Sequence, residues 1–205
     1  MMDISTNIKK PALVTKRREQ ILQAALDLFR KKGYHGTSIR QICEKSKVNR
    51  ASIYDYFKSK SDILFFIYTQ MMNREGNFYG THSDVTISEW DDLEPFIRST
   101  IKFSWTELKH PIQLMYREAI SLDRSTRDYV LTIESDYVEW VTINLQKGLG
   151  LNAVTPELKI LANNIVFFNS FIPLRGWNML EFDPESILDF VVDLMMMKLK
   201  DMRPS

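Results

Sequence analysis

Between Ser38 and Asp62 the chain carries three helix-start signals in close succession, and this spacing constrains the fold more than any other feature of the sequence. Ser38 with Gln41 has the capping-box pattern, Asn49 is a good N-cap, and Ser59 with Asp62 repeats the cap signature. Helices that must restart after so few residues are short, and the turns between them are tight. Val48 and Ile53 occupy the two positions of a hydrophobic staple around Asn49. Upstream, Ile21, Leu22, Ala25, Leu28 and Phe29 follow helical spacing and form one apolar stripe. Thr15 is the expected cap of that first helix. Arg30, Lys31 and Lys32 suit its negative end, and Gly33 closes it. The next helix buries Ile39, Ile42 and Cys43, the third anchors through Ile53 and Phe57, and the fourth runs through Ile63, Leu64 and Ile67.

The remainder also reads as helical. Helices are expected over residues 91–108, after Pro111, over 126–147 with Gly148 and Gly150 ending it, and over 156–177 and 184–200. Thr155-Pro156 and Asp183-Pro184 open the last two, each a cap followed by proline at the first helical position. No strand and no internal repeat is expected. The fold class is therefore all-α with about nine helices. A flexible basic arm is expected over residues 1–14, a three-helix helix-turn-helix domain over 15–60, and a larger helical domain over 61–205.

Charge divides the chain in a similar place. Residues 1–60 hold 14 Lys/Arg against 5 Asp/Glu, and the other 145 hold 13 against 21. The halves thus carry +9 and −8 within a chain whose net charge is only +1. A small basic module suits a polyanion, while a larger acidic part does something else.

Several function classes find no support. His35, His82 and His110 have no ligand partners at metal spacing, and no glycine-rich phosphate loop or hydrolase motif is present. No cofactor, no metal and no enzymatic activity are expected. The single cysteine, Cys43, cannot form an intramolecular disulfide and falls on a buried face, which argues against a redox sensor. With no secretory signal and no apolar run of about 18 residues, no membrane association is expected, and the localisation is expected to be cytoplasmic.

The bihelical unit at residues 37–57 has the form that enters a DNA major groove roughly 12 Å wide. With Ile53 and Phe57 facing inward, Arg50, Ala51, Ser52, Tyr54 and Tyr56 remain available for DNA. Ala51 permits close approach, Arg50 can donate to guanine or phosphate, and the tyrosine hydroxyls can reach phosphates. Residues 17–64 resemble the DNA-binding domain of the TetR (tetracycline repressor) family. The resemblance is carried by Gly33-Tyr34, Thr37-Ser38, Ile42, Val48 and, most specifically, the run from Ile53-Tyr54 through Tyr56-Phe57 and Ser59-Lys60 to Ile63-Leu64. It implies that Thr37, Ser38 and Lys60 contact phosphates, that Arg40 reaches phosphate or a base, and that Arg50, Ala51 and Ser52 read bases. Tyr54 and Tyr56 would touch the backbone or thymine. Two positions depart from the family pattern: Lys47 stands where a turn glycine is usual, and Ala51 replaces the recognition-helix glycine. A left-handed Lys47 would cost on the order of 1 kcal/mol. Lys16, Arg17 and Arg18 read either as a reach toward an adjacent groove or as a basic tail.

The resemblance further implies a homodimer that pairs the last two helices with their copies, and a small-molecule effector bound in the C-terminal part. Ile160, Ile165, Phe168, Ile187, Val191, Leu194 and Met195 form stripes wide enough for such pairing. Phe103, Trp105, Met115, Tyr116, Trp140, Phe168, Phe171 and Trp177 are candidate pocket residues, with Arg117 and Arg175 as partners for an anionic group. The expected function is a ligand-responsive DNA-binding regulator, a repressor released from its operator by a hydrophobic, acyl-CoA-like effector. The alternatives are an activator, a DNA-free interaction module, and an enzyme with a borrowed helix-turn-helix, for which no motif speaks.

Overall fold

The computed structural model describes residues 11–72, 86–118 and 122–204, so residues 1–10 of the expected arm lie outside it. Among the described residues there are ten α-helices and no strand. They are α1 (Pro11–Lys32), α2 (Ile39–Ser46), α3 (Arg50–Ile53), α4 (Lys60–Met72), α5 (Leu93–Thr106), α6 (Lys109–Glu118), α7 (Arg124–Leu149), α8 (Pro156–Phe168), α9 (Phe171–Arg175) and α10 (Pro184–Asp201). Two compact units divide the chain. The first comprises Met1–Met72 with Leu114–Arg127, and the second Asn73–Gln113 with Asp128–Ser205.

In the first unit α1 packs against α2 and α4, and α2 against α3. Ile21, Ala25, Phe29, Ile42, Ile53, Phe57, Ile63, Leu64 and Tyr68 are all fully buried. Helix α1 begins four residues before the expected Thr15 cap. Pro11, whose fixed φ suits a first helical position, opens it instead, and Val14 is already buried. Lys16, Arg17 and Arg18 are therefore helical rather than a tail. The Arg18 guanidinium lies over the Phe66 ring at 5.3 Å, and Arg17 donates to Gln20.

In the second unit α5 packs against α8, α9 and α10 around a core that includes Leu93, Phe96, Ile97, Ile101, Tyr137, Val141, Leu145, Leu161, Ile165, Leu188 and Val192. Arg98 of α5 pairs with Asp189 of α10, and Lys102 with Glu185 at 2.6 Å. Thr155 and Asp183 cap α8 and α10 as their sequences suggest, accepting from the amides of Leu158 and Ser186. The single helix expected over 156–177 is broken, because α8 stops at Phe168 and α9 restarts at Phe171. Pro173 explains the interruption. A continuous helix would need its missing N–H to reach the carbonyl of Asn169, against which its ring would clash.

Helix α7 ends differently from expectation. Gly150 (φ +67°) supplies the left-handed closing residue, with its N–H on the Lys147 carbonyl, whereas Gly148 lies inside the helix. Gly148 is there for space. A β-carbon at that position would collide with Leu93 Cδ2 and stand 2.6 Å from its Cγ. Overpacking of this kind costs about 1–3 kcal/mol, more than the roughly 1 kcal/mol of helix propensity that alanine returns. Gly148→Ala should therefore lower stability by up to about 2 kcal/mol, seen as a lower urea midpoint with an unchanged slope.

Candidate nucleic-acid interface

The element expected to meet DNA is built from local signals. Ser38 and Gln41 form the full capping box: the Ser38 hydroxyl accepts from the Gln41 amide, and the Gln41 side chain accepts from the Ser38 amide at 2.9 Å. Lys47 ends α2 in the left-handed region (φ 56°), among the described residues the one non-glycine with positive φ. Its N–H bonds the Cys43 carbonyl. Asn49 then caps α3, accepting from the Ala51 amide at 2.9 Å. Val48 and Ile53, on either side of that cap, are both buried.

Helix α3 itself has only four residues, Arg50–Ile53, and the chain continues in tight turns to Phe57. The Ile53 carbonyl accepts from both Tyr56 and Phe57, tightening the backbone so that Tyr56 and Phe57 turn inward together. The reading helix expected to run to Phe57 is therefore shorter. Ser59 caps α4 through the Asp62 amide, and Asp62 reaches back to the Lys58 amide at 2.8 Å.

The residues singled out for DNA contact fall into two groups. Ser38, Arg40, Arg50, Ala51 and Tyr54 are exposed, with Tyr54 at 51%, and Ser52 is half-buried. Arg40 shares its charge with Glu44, 3.6 Å away on the same helix face. Thr37, Tyr56 and Lys60 are instead engaged inside the unit. Thr37 is 2% exposed and donates to the Gly33 carbonyl at 2.9 Å. Tyr56 is 6% exposed. The Lys60 ammonium donates to the carbonyls of Tyr34 (2.7 Å) and Thr37 (2.8 Å) and stands over the Tyr34 ring at 4.2 Å. Burial pulls that ammonium below the usual lysine range, opposed by the Glu118 carboxylate. Burial also pushes the Cys43 thiol up, which keeps it protonated and unreactive at neutral pH.

The candidate effector residues do not form one group. Met115, Tyr116 and Arg117 belong to the first unit, the other seven to the second. Arg117 is committed to internal partners, with Nη2 on the Phe29 carbonyl at 2.6 Å and Nε on Glu118 at 2.8 Å. Its distance from the aromatic run in sequence gave no sign of this. In the second unit, Trp105 Nε1 donates to the Phe168 carbonyl at 2.8 Å, and Phe171 packs near both rings. Trp140 stacks on Tyr137 at 5.8 Å. Phe103 is half-buried on α5. Arg175 and Trp177 are exposed and stack on one another at 5.7 Å. Sequence patterns missed Asn169. It is buried, its Nδ2 donates to the Tyr137 hydroxyl at 3.1 Å, and its Oδ1 has no hydrogen-bond partner among the described residues.

Residues 21–65 match the family described as bacterial regulatory proteins, tetR family. The transcriptional regulator HbdR of Aromatoleum sp. (strain CIB) is 45% identical over 62 residues, 30% of this chain and 27% of that protein. The chain thus spans about a quarter of the length of this relative, and 33% of the length of RutR from Escherichia coli (strain K12). Among solved structures, a tetR-family regulatory protein from Rhodococcus RHA1 is similar over 90% of this chain and 97% of its own, at 18% identity and a TM-score of 0.74. AibR, solved with isovaleryl coenzyme A and operator DNA, is similar over 87% and 97%, at 22% identity and a TM-score of 0.66. These structural likenesses concern the fold.

The left-handed Lys47 gives a direct test of the turn. Lys47→Gly removes backbone strain of about 1–2 kcal/mol, part of which glycine returns through the entropy of the unfolded chain. Lys47→Ala removes the same charge and keeps the strain. The glycine variant should exceed the alanine variant by about 1 kcal/mol in denaturant stability, and equal values would show that the turn relaxes elsewhere.

Proposed function

We propose that the chain is a DNA-binding transcriptional regulator of the tetR type, which represses from an operator read by a homodimer and is released from it by a small hydrophobic effector. The observation that carries the reading is the exposed Arg50, Ala51 and Tyr54 face. It stands on buried Ile53 and Phe57, inside a stretch with a charge balance of +9. Arg50 and Ala51 meet base edges, Ser52 assists, and Ser38, Arg40 and Tyr54 hold phosphates. Thr37, Tyr56 and Lys60 serve this face by fixing its backbone. Such a protein acts on DNA in the cytoplasm.

The second unit supports the dimer. Ile160 and Phe167 on α8, and Phe190, Leu194 and Met197 on α10, are exposed at spacings of one helix face. Apolar stripes left to water at this density mark a protein surface that is covered, and a second copy presents the same stripes. Two recognition elements then meet two half-sites about one or more helical turns apart.

For the effector, the neighbouring rings of Trp105, Phe168 and Phe171 favour an apolar chain, and the orphaned Asn169 Oδ1 favours a ligand that offers an N–H or O–H. An acyl thioester of coenzyme A has both, and Arg175, exposed at the surface, suits its phosphates. AibR supplies a relative of this fold whose structure holds such a ligand.

The test begins with a duplex selected from a randomised pool. The wild-type chain should bind it at least about a thousandfold more tightly than unrelated DNA, with affinity falling steeply as salt rises. Arg50→Ala should relax specificity at one base pair by about 1–3 kcal/mol. Addition of isovaleryl or longer acyl coenzyme A should release the duplex. Equal affinity for all duplexes would sink the regulator reading, and insensitivity to every acyl chain length would sink the effector.

A further inference from the structure

We propose that Arg117 and Glu118, at the end of α6, are positioning residues of the DNA reader. The inference rests on the regulator reading above and concerns residues beyond the matched stretch 21–65. Glu118 is 6% exposed, and its Oε1 accepts from the Tyr34 amide at 3.2 Å and from Arg117 Nε at 2.8 Å. Arg117 Nη2 donates to the Phe29 carbonyl, which already accepts the Gly33 amide where α1 ends. These bonds span 84 and 88 residues of sequence, yet both ends belong to the first compact unit.

They join a set of bonds that hold the corner from Gly33 to Thr37 at Gly33, Tyr34 and Thr37. The Gly33 carbonyl takes the Thr37 hydroxyl, the Tyr34 carbonyl takes the Thr37 amide and Lys60, and the Thr37 carbonyl takes Lys60. The Tyr34 amide finds its acceptor, among the described residues, in Glu118. The next residue after the corner is Ser38, the cap of α2. A corner held at Gly33, Tyr34 and Thr37 fixes where α2 begins, and through the Lys47 turn where α3 presents Arg50.

The alternative is a pair that merely adds stability. An ion pair with Arg117 half-exposed adds little by itself. A buried carboxylate that loses its cation is costly, however, and tends to withdraw its acceptor from the site it was serving. The geometry aims that acceptor at the reader's corner and the guanidinium at the end of α1.

The 205-residue chain and its selected duplex provide the test. Arg117→Met and Glu118→Ala should each weaken binding by about tenfold, the scale seen for residues that touch neither ligand. The slope of affinity against salt should stay at the wild-type value, because no phosphate contact is lost. Hydrogen exchange at the Tyr34 amide should accelerate in Glu118→Ala, and Glu118→Gln, which keeps an acceptor there, should restore both protection and most of the affinity. Should Glu118→Ala fail to fold, Arg117→Met and Glu118→Gln carry the same comparison. Wild-type affinity in folded Arg117→Met and Glu118→Ala would overturn the inference. So would a salt slope reduced by about one in Arg117→Met, which would make Arg117 a phosphate contact. A wild-type chain that selects no duplex would overturn the regulator reading itself, and the positioning role with it.

Discussion

A helix of four residues has a single turn of backbone hydrogen bonds, too little to offset the ordering of its own dihedral angles. Helix α3 is such a helix, and the exposed face it offers depends on what holds it. Three constraints combine there. Asn49 satisfies the Ala51 amide, Ile53 and Phe57 bury the inner face, and Lys47 takes the left-handed conformation that reverses the chain out of α2. The turn is strained by about 1 kcal/mol, so the burial on either side must exceed it. Val48 and Ile53 supply that burial, each worth about 1.5–3 kcal/mol when fully removed from water. The exposed side of α3 is thereby free to carry residues chosen for a partner.

What the sequence made legible was local. The capping box at Ser38 and Gln41, the caps at Asn49, Ser59, Thr155 and Asp183, and the prolines that follow two of them act within three or four residues, and each is present in the structure. The all-helical class followed from the same short-range patterns. The errors also have local causes. Thr15 looked like a cap because a threonine ahead of an apolar stripe commonly is one, but Pro11 had already begun the helix. Residues 156–177 kept helical spacing in their side chains while Pro173 broke the backbone.

The candidate site was legible on its outer face and less so within. Arg50, Ala51 and Tyr54 could be assigned by periodicity, since Ile53 and Phe57 define the opposite side. Tyr56 defied that rule because the chain leaves helical geometry after Ile53, where one carbonyl accepts two amides. Arg117 and Asn169 lay beyond reach for a different reason. A charged residue in an apolar stretch signals a partner but cannot name it, and the partners of Arg117 in the structure are Phe29 and Glu118. For Asn169 the informative fact is an unmet hydrogen bond, which exists only once the aromatic residues have packed around it.

The Arg117–Glu118 pair also resolves an electrostatic difficulty. A lone carboxylate inside a basic module would repel every nearby phosphate, and its low exposure would limit screening by solvent ions. Pairing at 2.8 Å converts the two charges into a dipole whose field fades well within the roughly 10 Å over which charges act at moderate salt. The pair can therefore supply a strong acceptor to the Tyr34 amide without subtracting from the positive field that Arg50, Arg40 and their neighbours would offer DNA in the proposed function. A neutral acceptor such as glutamine would leave the field equally undisturbed but would bind less tightly than an ionised one. The charged pair thus combines the stronger bond with electrostatic neutrality at a distance, as the proposed attraction to phosphates would require of a buried carboxylate.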